Sequence, residues 1–312
     1  MRIATVVVAA LLVAGCSVFP KSQSAPAATV ARPPVHTVVL ATAHGWEMTS
    51  TGLLRSTDGG RTWARVNGLP AINYVWGTLA SFASSDVAWL CEQGRARGSK
   101  PGTIGDTRTA ASPPARCFAT GDGGASWAEH DVPGSGTTSV GRRHDDATVN
   151  SLLAIGGRAA WIVVGTMDTF AGGGQESINL TEVRLLATTD GGAQWSVRRD
   201  EQALQGGSVA STGAEWVSVG GSGSIYVSGF TAGIDRSTDS GRSWSTLRVP
   251  MPAIGTPGTS QYCSIAERGT SLLVTVREYV SDAPKSYFEL SDDGGARWTQ
   301  VTSPSGVTAL LC

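Results

Sequence analysis

Ser56-Thr57-Asp58-Gly59-Gly60-Arg61-Thr62-Trp63 decides the reading of this chain, because the sequence repeats it four more times. The copies are Thr120-Gly121-Asp122-Gly123-Gly124-Ala125-Ser126-Trp127, Thr188-Thr189-Asp190-Gly191-Gly192-Ala193-Gln194-Trp195, Ser237-Thr238-Asp239-Ser240-Gly241-Arg242-Ser243-Trp244 and Ser291-Asp292-Asp293-Gly294-Gly295-Ala296-Arg297-Trp298. Asp58, Asp122, Asp190, Asp239 and Asp293 are 64, 68, 49 and 54 residues apart. A fixed motif at periods of this size marks an array of one supersecondary unit. In a turn, an Asp accepts hydrogen bonds from nearby backbone N–H groups, and glycine supplies positive φ where the chain reverses. The Ser or Thr ends an incoming strand. The Trp (Trp63, Trp127, Trp195, Trp244, Trp298) opens the outgoing one and brings a large ring to the core.

Three residues before each Ser/Thr stands Leu53, Cys117, Leu185, Ile234 or Phe288, so an apolar or sulfur side chain precedes every turn. A second tryptophan recurs upstream of four copies, at Trp46, Trp89, Trp161 and Trp216, and Leu272-Leu273-Val274 takes that place in the last unit. Only Trp76 of the ten tryptophans lies outside the pattern. The aromatics are therefore expected in the core rather than on a platform for sugars or bases. Each unit reads as four strands, the first at about 37–42, 46–50, 52–56 and 62–66. One such unit cannot bury its apolar faces alone, and units arranged radially can.

The repeat resembles the Asp-box, or BNR, repeat of sialidases, photosystem assembly factors, sortilin-type receptors and some other glycoside hydrolases. The resemblance covers about residues 37–301. It implies an all-β propeller of four-stranded antiparallel blades, with the turn between the third and fourth strands of each. The widest spacing leaves no room for a hidden blade of about 40 residues, so five blades are expected, with six if a degenerate blade is assembled from both ends. Residues 306–311 read as a strand that closes the ring.

The composition agrees. Hydrophobic residues make up 41% and charged residues 16%, with 40 glycines, which suits a turn-rich globular β protein. A formal net charge of −1 gives no general attraction to nucleic acid or anionic lipid. Met1-Arg2 followed by the apolar run Ile3–Val13, too short to span a bilayer, reads as a signal peptide over residues 1–15. It ends in Val13-Ala14-Gly15-Cys16, which resembles the bacterial lipobox; that resemblance implies acylation of Cys16 and stable anchoring by two or more acyl chains. Residues 16–35, rich in Ser, Ala and Pro, read as a flexible tether, and 36–312 as the propeller domain. The expected location is the cell membrane, on its extracytoplasmic side.

Cys91, Cys117, Cys263 and Cys312 remain, an even number in an exported chain. Three pairings exist. Cys91–Cys117 and Cys263–Cys312 are favoured, the first closing the long segment 94–115 and the second stapling the chain end. A zinc site would need CxxC spacing or clustered histidines, and neither occurs.

Catalytic signals are sparse. Each repeat carries one turn carboxylate, whereas glycosidases place two across the scissile bond. Similarity to sialidases would imply an early Arg-Ile-Pro motif, and Ala31-Arg32-Pro33-Pro34 in the tether lacks its context. Tyr226, Tyr262, Tyr279 and Tyr287 carry no nucleophile signature. Arg142-Arg143-His144-Asp145-Asp146 reads as a solvated loop, as does nearby Glu129-His130-Asp131. No phosphate-binding loop and no G-x-S-x-G elbow is present. No cofactor, metal or catalytic residue is assigned. A monomeric binding or assembly scaffold for an envelope protein or glycan is expected, with sialidase-like glycoside hydrolysis as the alternative. Long insertions at 94–115, 131–147 and 167–181 crowd the second and third units, and the partner site is expected there.

Overall fold

Alternation of side chains along a strand lets one sheet present an apolar row to each of two neighbours. The computed structural model uses this in every unit. It describes residues 35–41, 44–49, 51–69, 72, 78–92, 113–140, 143–172, 175–202, 216–228, 233–251, 260–278 and 285–301. The expected signal peptide, most of the tether, Trp76, Tyr279, most of 94–115 and the strand at 306–311 lie outside them.

Five antiparallel sheets follow one another along the chain. Blade one comprises β1 (Val35–Ala41), β2 (His44–Thr49), β3 (Gly52–Ser56) and β4 (Ala64–Arg65). Blade two comprises β5 (Thr78–Phe82), β6 (Ala88–Glu92), β7 (Arg116–Thr120) and β8 (Ala128–Asp131). Blade three has a fifth strand: β9 (Gly136–Val140) pairs with the free edge of β10 (Arg143–Ala154), which is followed by β11 (Ala160–Gly172), β12 (Gln175–Thr188) and β13 (Ser196–Gln202). Blade four comprises β14 (Val217–Val219), β15 (Ile225–Val227), β16 (Ile234–Ser237) and β17 (Ser245–Leu247). Blade five comprises β18 (Ser260–Arg268), β19 (Ser271–Glu278), β20 (Lys285–Ser291) and β21 (Thr299–Val301). This is an all-β propeller of five blades.

The core is divided among the seams. Trp46, Met48 and Leu53 of blade one meet Ala88, Leu90 and Phe118 of blade two. The other face of β6 carries Trp89 and Cys91, which pack on Ile162 and Val164 of blade three. Trp161, Val163 and Leu185 then meet Val217, Ile225 and Val227 of blade four. Tyr226, Ile234 and Leu247 meet Tyr262, Val274 and Val276 of blade five. First strands are joined by serine hydroxyls: Ser81 Oγ accepts from Ala154 N at 2.9 Å, and Ser151 Oγ from Val217 N at 3.1 Å.

Three expectations change. Residues 131–147 and 167–181 are not loop insertions, because β9, the start of β10 and the far ends of β11 and β12 occupy most of them. β1 begins at Val35, inside the expected tether. In blade four the recurrent upstream aromatic is Tyr226, not Trp216. Trp46, Trp89 and Trp161 each pair with the residue just before the turn Ser/Thr, and Tyr226, opposite Arg236, holds that register. Trp216 instead precedes β14 and donates Nε1–H to Tyr262 O at 2.7 Å, tying blade four to blade five.

Candidate functional site

The repeat turns share one hydrogen-bond pattern. In blade one Ser56 Oγ donates to Asp58 Oδ1 at 2.9 Å and accepts from Gly60 N at 2.8 Å. Asp58 accepts from Thr62 N at 2.9 Å and from the Thr62 hydroxyl at 2.6 Å. Thr120–Asp122–Ser126 and Ser237–Asp239–Ser243 repeat this. In blade three Gln194 gives only its backbone N–H to Asp190, and in blade five Arg297 adds an ion pair to Asp293 at 3.2 Å. Hydrogen bonds to the ionised form favour it. The Thr62 hydroxyl above all holds the Asp58 carboxyl down at about 2, and the Ser126 hydroxyl does the same for Asp122. Asp239 is also lowered, chiefly by the Ser243 hydroxyl, and Asp190 and Asp293 chiefly by the N–H groups of Gln194 and Arg297. All five carboxylates accept hydrogen bonds within their own turn.

The rim that carries these turns also holds neighbouring blades together. Trp46 Nε1 donates to Ser84 O in blade two, and Trp89 Nε1 to Gly156 O in blade three. A Cβ at Gly241 would sit 2.7 Å from the Trp161 ring, so that turn lies flat against the preceding blade. Trp63, Trp127 and Trp298 donate to the carbonyl of the second turn glycine at 3.1–3.2 Å. The Nε1 groups of Trp195 and Trp244 are buried without an acceptor.

Strand direction sorts the connections onto two faces. The turns lie beside the first-to-second-strand loops, as Gly123 N→Asp86 O, Gly191 N→Arg158 O and Gly294 N→Thr270 O show. The second-to-third-strand connections therefore emerge on the opposite face. There Cys91 and Cys117, directly paired across β6 and β7, form a disulfide at the base of the blade-two connection. Beside it Arg116 bridges Glu92 at 2.8 Å and Glu129 at 2.7 Å. Ser135 Oγ accepts from Ala115 N and donates to Val132 O, which fixes the chain entering β9. On the same face β11 and β12 continue past their bulge at Thr166/Met167 to Gly172 and Gln175. Those six extra residue pairs carry the sheet about 20 Å further. Arg143–Asp146 form the start of β10, between β9 and β11, rather than a loop. Cys263 is also disulfide-bonded; Cys312, its expected partner, and Cys16 lie outside the described residues.

Among the described residues no three His, Cys, Asp or Glu side chains gather as a metal site. One tyrosine–carboxylate pair does stand out. Tyr287 Oη donates to Glu278 Oε2 at 2.9 Å, and Glu278 is 1% exposed with Oε1 lacking a partner. That hydrogen bond raises the Tyr287 phenol. The sequence had singled out Tyr287 without Glu278, because the two come together only through strand register. Burial pushes the Tyr262 phenol up to about 12, and its hydroxyl donates to Val249 O at 2.8 Å.

No protein-family model matches the chain, and no curated protein matches it. Solved structures do match. The chain is similar to an ancestral GH74 enzyme at 15% identity, over 88% of this chain and 32% of that one, with a TM-score of 0.54. It is similar to YCF48 from Cyanidioschyzon merolae at 15% identity, over 86% and 85% of the two chains, with a TM-score of 0.43. A structure of YCF48 bound to D1 peptide matches at 14% identity over 86% and 83%, with a TM-score of 0.34. The chain spans about a third of the GH74 enzyme's length. Likeness at this level shows the fold alone.

Proposed function

We propose that the chain is a lipid-anchored, extracytoplasmic scaffold that binds a protein or glycan of the cell envelope. Its repeat turns are Asp-box turns with a structural role, Cys16 is acylated, and the molecule is a monomer. The partner docks over blades two and three, on the face opposite those turns. The observation that carries this reading is the extra reach of blade three. A sheet that runs about 20 Å past the blades is not needed to close a propeller. It stands beside a connection closed by a disulfide, and rigid elements of this kind present binding surfaces.

The test replaces residues 167–180 with an Asn-Gly turn in the full-length protein. In-cell crosslinking is expected to lose its envelope partner while the melting temperature holds; a partner retained at wild-type yield would sink the assignment of this face. The anchor is tested by Cys16→Ser, which is expected to move the protein out of the membrane fraction, and continued retention would refute acylation.

A second reading, glycoside hydrolysis, draws on the Tyr287–Glu278 pair, since the sialidase resemblance implies a Tyr–Glu nucleophile. Turnover of a fluorogenic sialoside, abolished by Tyr287→Phe, would establish it and overturn the scaffold. Full burial of Glu278 favours the scaffold.

A further inference from the structure

A sheet edge is a row of N–H and C=O groups, and proteins keep such rows from pairing with foreign strands by shortness, charge, proline or bulges. The outer strands of this propeller follow that rule. β4, β17 and β21 are two or three residues long. β8 carries Glu129 and Asp131. β13 is longer, and it carries Arg198, Arg199, Asp200 and Glu201 and a register shift opposite Leu185/Leu186. Where β12 runs past β13, over residues 175–181, the edge carries Glu176.

The inner edge of blade three is covered in two ways. Near the repeat turns, Ala154 N of β10 donates to Ser81 Oγ of blade two. At the far end of β10, residues 143–147, β9 pairs with it in five consecutive residue pairs without a register shift. β9 then presents an edge of its own, and no described strand pairs with it. Its sequence, Gly136-Thr137-Thr138-Ser139-Val140, has no charge and no proline. Val140 and Arg143 pair across only two residues, so they form the closing hydrogen-bonded pair of the hairpin. Alternation then bonds Thr138 and Gly136 to β10 and turns the N–H and C=O of Thr137 and Ser139 outward. The entry to β9 is fixed, because Ser135 Oγ accepts from Ala115 N at 2.8 Å and donates to Val132 O at 2.6 Å. An edge already in strand form lowers the ordering cost of binding.

We propose that β9 accepts an extended peptide segment of the partner as a sixth strand of blade three, bonded to the backbone of Thr137 and Ser139. This is strand addition, in which main-chain hydrogen bonds supply the affinity. The segment is uncharged and rich in Thr, Ser and Val. Its register positions fall opposite Thr137, Thr138 and Ser139, where hydroxyl and β-branched residues pair well across strands and a charge meets no counter-charge on β9. The inference rests on the docking face proposed above and names how the partner is held there.

The experiment follows amide resonances and hydrogen exchange of the full-length protein during titration with acetyl-Thr-Val-Thr-Val-Thr-amide. The Thr137 and Ser139 amides are expected to shift and to exchange more slowly. The same peptide with proline for both valines cannot keep strand form and is expected to leave them unchanged, and one with glutamate for its threonines to bind more weakly. Ser139→Pro removes one outward N–H and no bond to β10; it is expected to weaken binding about fivefold, as loss of one peptide hydrogen bond does. Exchange at Thr137 and Ser139 unaltered by the first peptide, either control acting like it, or protection arising at residues 176–181 instead would overturn the proposal. Protection present without peptide and growing with protein concentration would place a second copy on the edge and overturn it equally. In-cell crosslinking separates this proposal from the docking face. A partner lost on replacing residues 167–180 and kept in Ser139→Pro would overturn strand addition and leave the face standing; a partner lost in both is the expected result.

Discussion

Within one turn, the seventh position decides how tightly the Asp is clasped. Thr62, Ser126 and Ser243 each give a hydroxyl and an N–H to the carboxylate, whereas Gln194 gives only the N–H. A folded-state pKa below the ordinary value means the ionised form stabilises the fold. That contribution is fully present above about pH 4 and is lost as pH falls through about 2. Stability is therefore expected to fall as pH is lowered from about 4 to 2, and carboxyl titration of Ser126→Ala should show the Asp122 value moving upward. An unmoved Asp122 would assign the clasp to the backbone instead. Ser240 occupies a position that is glycine in the other four turns, and it is the one described non-glycine residue at positive φ, 59°. The left-handed region costs such a residue about 1–2 kcal/mol, less about 0.4–1 kcal/mol that glycine loses through its freer unfolded chain. Ser240→Gly is expected to stabilise the protein by about 0.5–1 kcal/mol in denaturant melts, and a loss of stability would show that the serine side chain is held by contacts of its own.

For single blades, the repeat made the hairpin around each turn legible, because its hydrogen bonds join residues two to four apart and so appear as a fixed spacing. The strands of blade three were not legible. Segments such as Thr166–Gly172 and Gln175–Thr181 have no sustained apolar alternation and read as loop, and only pairing across the hairpin makes them strands. Tyr226 was missed for a related reason. Blade four has a three-residue first strand, so the nearest tryptophan upstream of its turn belongs to the chain before that strand. The disulfide in blade two joins residues 26 apart, and closing a loop of that size is worth about 3.5 kcal/mol in the chain-entropy account. Replacing both Cys91 and Cys117 with Ser is expected to lower unfolding stability by roughly that amount. A change below about 1 kcal/mol would mean that the pairing of β6 and β7 already holds the connection shut.

Across the whole molecule, stability resides in the seams rather than in the blades, since every described core cluster draws on two neighbouring sheets. The seam between blades three and four adds a buried ion pair. Arg199 reaches Asp235 at 3.2 Å and stacks over Trp244, Thr246 donates to the same carboxylate at 2.6 Å, and Asp235 is fully buried. Removing one partner of such a pair strands the other charge, at about 3–5 kcal/mol. Asp235→Asn is expected to lose about 3 kcal/mol, at the low end because Arg199 keeps partial access to water. Calorimetry should record that loss as one cooperative transition of the whole ring. Two separate transitions would show that the blades on either side of this seam melt independently.

The disulfide of blade two also sets what the molecule does when its chain is cut. Every peptide bond between Cys91 and Cys117 lies inside a covalent ring. A protease acting there produces two polypeptides and still one particle. The fragments migrate together in non-reducing electrophoresis and separate only after thiol treatment. Both halves of blade two stay in register meanwhile, with β6 still laid against β7. A nick at this connection is a change of chain count without a loss of architecture.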